Sequence, residues 1–246
     1  MGLLDRFRKS YPAEPEPPIE PVGCVAIILD GNARWAAARG VPVAEGHREG
    51  TRALRRTVEA AIDLGIGALV VYGFSTENWT RPPDEVDDLM EIFGETIDRE
   101  LPDLARQGVR VRFLGRRDRA PEELQDKMAE LEAATGTNDR LDLWIAFDYG
   151  GRAELADADK RLVQAGIAPE EIDEDTFARA LYEPDLPNPD LLIRTAGDQR
   201  ISNFLLWQLA YAELVFLDTT WPDFGEADLR AALGEYATRE RRYGGR

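Results

Sequence analysis

The run Val25-Ala26-Ile27-Ile28-Leu29 constrains this chain more than any other stretch, because five consecutive apolar residues leave no polar face for solvent. Bounded by Gly23 and rich in β-branched side chains, it reads as a strand covered on both faces, the kind found in parallel sheets. It stops abruptly at Asp30-Gly31-Asn32-Ala33-Arg34-Trp35. In open α/β sheets ligands bind in the crevice outside the strands' carboxyl ends, where a following helix aims backbone N–H groups at an anion. An aspartate at that edge can hold a divalent cation. Gly31 lets the chain approach a phosphate closely, and Asn32 and Arg34 supply donors. The same tripeptide also suits an ordinary turn capping a helix, and this stretch alone leaves both readings open.

A chain of 246 residues can bury one substantial core, so a single domain is expected. Its net charge of -17, from 47 acids against 30 bases, argues against nucleic acid as a partner. Cys24 is the only cysteine and His47 the only histidine, which excludes disulfide frameworks, cysteine clusters and multi-histidine zinc sites. No apolar run approaches the roughly 18 residues of a membrane span, and no long apolar leader opens the chain. A cytoplasmic location is the expectation.

Residues 1–21 begin with Leu3, Leu4 and Phe7 among basic residues, then carry Pro12, Pro15, Pro17, Pro18 and Pro21 among glutamates. Such a stretch propagates neither helix nor central strand, so a flexible tail is expected before a catalytic domain over 22–246. Leu54, Val58, Ala61 and Ile62 recur at helical spacing and Gly65 follows, which predicts a helix from near Glu45. His47 shares that face near the end closest to Asp30. Residues 68–74 read as a second buried strand, and residues 83–107 as a long helix with Pro102 inside it. Strands are predicted at 109–114, 141–147, 191–193 and 214–217, with helices at 121–134, 152–164, 174–182 and from about 226. Residues 203–212 are apolar nearly all round and read as a buried helix. Alternating strands and helices imply parallel crossovers, hence an α/β domain with a largely parallel central sheet of about six strands surrounded by helices.

Three strand ends then carry polar sets: residues 30–34, residues 75–81 (Ser75, Thr76, Glu77, Asn78, Trp79, Thr80, Arg81) and residues 194–203. In a parallel sheet these ends share one edge, so the sets converge on one crevice. Acids for a metal, arginines and Ser202 for anionic oxygens, and no paired nucleophile and base fit the binding of two diphosphates better than covalent hydrolysis.

On these motifs the chain resembles the cis-prenyltransferases of the undecaprenyl diphosphate synthase type. Asp30-Gly31-Asn32-x-Arg34-Trp35, Gly46-His47-x-x-Gly50, Phe74-Ser75-x-Glu77-Asn78-Trp79-x-Arg81-Pro82, Tyr149-Gly150-Gly151-Arg152, Arg194-Thr195, residues 200–208 and Glu213 follow one another in the family's order. The resemblance implies a homodimer, Mg²⁺, and head-to-tail addition of isopentenyl diphosphate to an allylic diphosphate with Z double bonds. It further implies that Asp30 binds Mg²⁺ on the allylic diphosphate, that Gly31, Asn32, Ala33 and Arg34 cradle phosphates, and that His47 is a further contact. Arg194, Arg200, Ile201 and Ser202 are implied to hold isopentenyl diphosphate, and Glu213 to be a second magnesium ligand. Ser75, Thr76, Glu77 and Asn78 would position the reacting ends, with Trp35, Trp79 and Arg81 completing the pocket. Asn78 is the family's candidate for proton removal; an amide is a poor base, so an orienting role with released pyrophosphate as base is expected. A lipid product also implies peripheral membrane contact.

Several positions depart from the family pattern. Val43 stands where a basic residue is common, with Arg39 as a substitute contact; Asp148 stands for Asn; Ala196, Asp198 and Gln199 stand for Gly, Glu and His. A non-catalytic prenyltransferase-like subunit is the alternative function, and such subunits lack the aspartate and most phosphate arginines. A strand-end aspartate phosphatase would want a second acid at position 32, which is Asn, and a nearby lysine; Lys9, Lys127 and Lys160 are remote from every motif. The ending Arg242-Tyr243-Gly244 resembles the family's Arg-x-Gly terminus, which reaches the partner's diphosphate site.

Overall fold

A computed structural model describes residues 22–239. The expectations for the tail 1–21 and for Arg242, Tyr243 and Gly244 fall outside these residues. Six strands form one sheet in the order β3-β4-β2-β1-β5-β6, and every neighbouring pair is parallel. They are β1 (Cys24–Ile28), β2 (Ala68–Ser75), β3 (Val109–Leu114), β4 (Leu141–Tyr149), β5 (Leu191–Arg194) and β6 (Glu213–Phe216). The intervening helices are α1 (Asn32–Arg39), α2 (Val43–Asp63), α3 (Pro83–Gln107), α4 (Glu122–Thr135), α5 (Gly151–Gln164), α6 (Glu174–Ala178) and α7 (Glu226–Ala237).

Strand β1 lies inside the sheet between β2 and β5, and all its residues are buried. Its side chains alternate between two cores, as strand geometry requires. Val25 and Ile27 join the larger cluster with Val58, Ala61, Leu89, Ile97, Leu131 and Leu233. Cys24, Ala26 and Ile28 join the opposite cluster with Trp144, Phe204, Leu205 and Leu209. The apolar run is therefore buried because both faces of the sheet are covered.

Two expectations are corrected. Residues 203–212 form successive turns, not a helix. Ser202, Asn203 and Leu205 take positive φ angles of 47°, 63° and 45°, which interrupt a helix from its first turn; Phe204, Leu205 and Leu209 still bury against the sheet, so burial was right and periodicity was not. The helix expected over 174–182 ends at Ala178.

Candidate active site

The carboxyl ends of β1, β2 and β5 bring together the three polar segments. Gly31 has φ +110°, and an added Cβ would lie 2.9 Å from Ala196 Cβ and 3.0 Å from Thr220 Cβ; both conformation and crowding require glycine there. Asp30 is fixed by its backbone. Its N–H donates to Thr195 Oγ1 at 2.9 Å, and its carbonyl accepts from Trp221 N–H at 2.9 Å and from the Thr195 hydroxyl at 2.7 Å.

The Asp30 carboxylate faces two guanidiniums, with Arg194 Nη2 2.8 Å from Oδ2 and Arg34 Nη2 3.0 Å from Oδ1. Arg194 is 3% exposed. Its Nη1 donates to Ser202 Oγ at 2.7 Å and to the Arg200 carbonyl at 2.5 Å, while its Nε is buried without a partner. Arg34 Nη1 donates to the Ala196 carbonyl at 2.5 Å. Arg200 is exposed and meets Asp198 through two 2.9 Å contacts.

On β2's end, Ser75 N–H donates to Asn78 Oδ1 at 2.9 Å, closing a tight turn over Thr76–Thr80. With that oxygen committed, Asn78 offers the cavity a donor, which fits orientation better than proton abstraction. Glu77 Oε1 accepts from Asn203 Nδ2 at 2.9 Å and Oε2 from Thr76 at 3.1 Å. Burial pushes the Glu77 carboxyl up, but hydrogen bonds from Asn203, its own backbone, Ser75 and Thr76 outweigh this and hold it below the ordinary range. Asn203 also accepts from the N–H groups of Gly151 (2.7 Å, carbonyl) and Arg152 (2.8 Å, Oδ1). A Cβ at Gly150 would strike Thr76 Oγ1 at 2.5 Å and Asn203 Nδ2 at 2.8 Å. The Tyr149-Gly150-Gly151-Arg152 motif thus clamps the β2 turn to the β5 loop.

The Gly46-His47-x-x-Gly50 motif has an equally plain reason. A Cβ at Gly46 would lie 2.3 Å from the Asn32 carbonyl, and one at Gly50 2.6 Å from Asn32 Oδ1; the glycines let α2 lie against the start of α1. His47 and Asn32 then share a wall, with His47 Nε2 and Asn32 Oδ1 both buried and unpartnered. Burial foremost, then Arg81, pushes the His47 imidazole below its ordinary value.

A polar cavity of about 180 Å³ is lined by Asp30, Asn32, His47, Ser75, Asn78 and Arg81 with apolar neighbours. It shares Leu29, Asn32, His47, Gly73 and Leu89 with an apolar cavity of about 110 Å³ that runs between α2 and α3 past Leu54, Ile92, Phe93 and Ile97. A third, of about 40 Å³, shares Thr51, Leu54, Thr96, Ile97 and Ile145 with it and reaches Leu104, Leu131 and Leu143. The three cavities therefore adjoin through shared walls, from a charged mouth to hydrocarbon-like surroundings.

Not every predicted residue lines these cavities. Ala33 is exposed, and Trp35 turns away, donating from Nε1 to Asp223 Oδ1 at 2.8 Å beneath Arg39, 4.2 Å above its ring. Arg39 also contacts Asp223 at 3.0 Å, so it does not replace the base missing at Val43. Trp79 packs behind its turn on Phe74, with ring centroids 5.0 Å apart. Thr76, Glu77 and Ile201 hold the surrounding loops together.

Glu213 departs furthest from expectation. Leu191 pairs with both Val25 and Glu213, which puts Glu213 at the amino end of its strand, roughly 16 Å from Asp30 along the strands at ~3.3 Å per residue. It is paired instead with Arg239 at 2.8 Å. The two acids cannot hold one cation within a single chain. Sequence reasoning also passed over Thr195 and Trp221, which seat Asp30; Thr195 adjoins Arg194 in its motif, whereas no spacing marks Trp221.

Residues 28–244 match the undecaprenyl diphosphate synthase (prenyltransferase) family. The chain belongs to that family. It is 52% identical over 224 residues to the ditrans,polycis-undecaprenyl-diphosphate synthase ((2E,6E)-farnesyl-diphosphate specific) of Xanthomonas axonopodis pv. citri, covering 89% of this chain and 87% of that one. It is 49% identical to the trans,polycis-polyprenyl diphosphate synthase ((2Z,6E)-farnesyl diphosphate specific) of Thermobifida fusca, covering 90% of this chain and 80% of the relative. Lavandulyl diphosphate synthase from Lavandula x intermedia, solved in complex with dimethylallyl diphosphate, superposes with a TM-score of 0.87 at 39% identity, covering 91% of this chain and 98% of that one.

Proposed function

We propose that this protein is an isoprenyl transferase, an enzyme that transfers alkyl groups other than methyl. It joins isopentenyl diphosphate head to tail to an allylic diphosphate, forms a Z-configured polyprenyl diphosphate and releases pyrophosphate. The observation that carries this reading is that the Asp30, Asn32, His47 and Arg81 cavity adjoins, through five shared lining residues, the apolar cavity between α2 and α3. A diphosphate and a growing hydrocarbon need those two environments joined end to end.

In the reaction the allylic C1–O bond breaks and its electron pair leaves with pyrophosphate. The double bond of isopentenyl diphosphate attacks C1, and a proton is lost from its C2 to the departing pyrophosphate. Arg34 and Arg194 are near enough to Asp30 to share negative charge with it, and cationic groups at a departing diphosphate lower the barrier most where water is scarce. Asn78 and Ser75 orient the ends; the apolar channel draws the elongated chain away from the mouth.

Mg²⁺ fits the donor chemistry. Asp30 is a hard-oxygen carboxylate beside the unpartnered Asn32 Oδ1, and among the described residues no group of three acids, histidines or cysteines could hold a cation unaided. That suits a cation that enters with a diphosphate and keeps only one or two protein ligands. Bound there, it would neutralise the leaving group. A homodimer is part of this reading, supported by the edge strand β6, where Leu214 and Phe216 stay only half-buried, and by Tyr211, 72% exposed beside it. A cytoplasmic enzyme that touches the membrane to deliver its lipid agrees with the lack of any helix, among the described residues, long and apolar enough to cross one.

Incubation with labelled isopentenyl diphosphate, Mg²⁺ and farnesyl or geranyl diphosphate should give labelled chains longer than the primer. A folded protein that incorporates no label with either primer would sink the reading and leave the non-catalytic subunit in its place.

A further inference from the structure

The arginines that the proposed reaction needs are already engaged by an acid of their own loop. Asp198 Oδ1 and Oδ2 each accept from Arg200 at 2.9 Å. Oδ2 also lies 3.3 Å from Arg34 Nη2 and 3.5 Å from Arg194 Nη2. A single carboxylate thus spans three guanidiniums, two of which it shares with Asp30. A guanidinium fork binds carboxylate and phosphate oxygens by the same geometry.

The loop's shape does not depend on this carboxylate. Ala196 N–H donates to the Thr219 carbonyl and Gly197 N–H to the Leu217 carbonyl, both at 2.8 Å, and Arg34 holds the Ala196 carbonyl. Asp198 hangs from a backbone fixed by other bonds, and its side chain is 31% exposed. It can therefore leave its partners without unfolding anything.

We infer that Asp198 is a built-in stand-in for a diphosphate: it occupies the guanidiniums of Arg200, Arg34 and Arg194 when no substrate is bound, and it competes with isopentenyl diphosphate for them. This rests on the proposed function and adds a residue that sets affinity there. Head-to-tail chemistry gives the competition a purpose. After each addition the new chain carries the diphosphate of the unit just added, and that group must leave the arginines before the next unit enters. An acid on the same loop that returns to Arg200 speeds this exchange.

The test is calorimetric binding of isopentenyl diphosphate, without primer and without divalent cation, so that nothing turns over. Asp198→Asn, and Asp198→Ser as a second neutral variant, should bind about three- to fivefold more tightly than the natural protein, the effect expected of one solvent-screened charge contact. Asp198→Glu should keep the natural affinity. In an Arg200→Ala background Asp198→Asn should lose most of its effect, because the two act through one contact. Unchanged or weaker binding by both neutral variants would overturn the inference while leaving the proposed function standing. Failure of the natural protein to bind or turn over isopentenyl diphosphate at all would overturn both.

Discussion

In the proposed reaction Asp30 carries the heaviest chemical load, and its surroundings separate that role from its place in the fold. Backbone bonds to Thr195 and Trp221 hold the peptide, while the carboxylate faces Arg34 and Arg194. Asp30→Ala should therefore fold normally yet turn over on the order of a thousandfold more slowly, the cost of several kcal/mol of lost leaving-group stabilisation. Circular dichroism and a single-turnover assay check the pair of outcomes, and near-normal turnover would refute the assignment. His47 gives a separate, pH-dependent signature. Its imidazole is held below the ordinary 6.5, mainly by burial, so below pH 6.5 the unfolded chain takes up the proton first. Stability should fall as pH drops from 6.5 toward the lower folded value, and be fully present above 6.5. Urea unfolding at pH 7.5 and 5.5 should show a smaller acid loss for His47→Gln than for the natural protein; equal losses would mean that the imidazole protonates freely in the fold.

Among the elements, strand β1 and helices α2 and α3 were legible because hydrophobic periodicity reports burial, and their burial is regular. The segment over 203–212 was misread for the complementary reason. Its apolar residues do bury, but Ser202, Asn203 and Leu205 sit in left-handed conformations that no apolar pattern encodes. The strand-end motifs converge as expected, since Asp30, Arg194 and the turn over Thr76–Thr80 meet where a parallel sheet must bring them. Glu213 did not follow: the strand predicted over 214–217 already set it at an amino end, as the structure has it, and its role as a ligand came from the resemblance alone. Asp148 shows what a departure from the family pattern can mean. Its carboxylate is fully buried and bonded twice by Arg119, once at 2.9 Å, and Arg119 lies 5.0 Å over the Trp79 ring, behind the turn that presents Asn78. Asp148→Ala strips a buried charge pair of one member. It should cost about 2 kcal/mol, less than the ~3–5 of a fully buried pair because Arg119 is 41% exposed. Loss of the Trp79 clamp should also lower kcat more than it raises KM. A drop in stability without any change in kcat would confine the pair to folding.

Product length belongs to the protein taken entire, since the apolar channel is assembled from α2, α3 and the far face of the sheet. Its continuation past Thr51, Leu54, Thr96, Ile97 and Ile145 toward Leu104, Leu131 and Leu143 is the only apolar route leading inward from the polar mouth among the cavities described. Each five-carbon addition pushes the chain further along it, and burial of each CH₂ contributes about 0.8 kcal/mol until the walls close. The deep end is crossed by ion pairs, Arg55 reaching Glu100 at 3.4 Å and Asp103 at 2.6 Å, which bind α2 to α3 and oppose their separation by a lengthening chain. Thr96 sits midway, its hydroxyl satisfied by the Ile92 carbonyl at 2.6 Å, so its replacement leaves no buried polar group unpaired. Thr96→Trp would fill the passage with an indole. The overpacking should cost about 1–3 kcal/mol of stability, and the first condensation, which takes place at the mouth, should keep its rate within a few-fold. Elongation should stop early, giving markedly shorter chains from the same primer, with the Z geometry of the new double bonds retained. Sizing the labelled products by thin-layer chromatography and mass spectrometry reads the result directly. Chains of undiminished length from a folded Thr96→Trp protein would mean that the growing lipid leaves by another route, across the surface between α2 and α3.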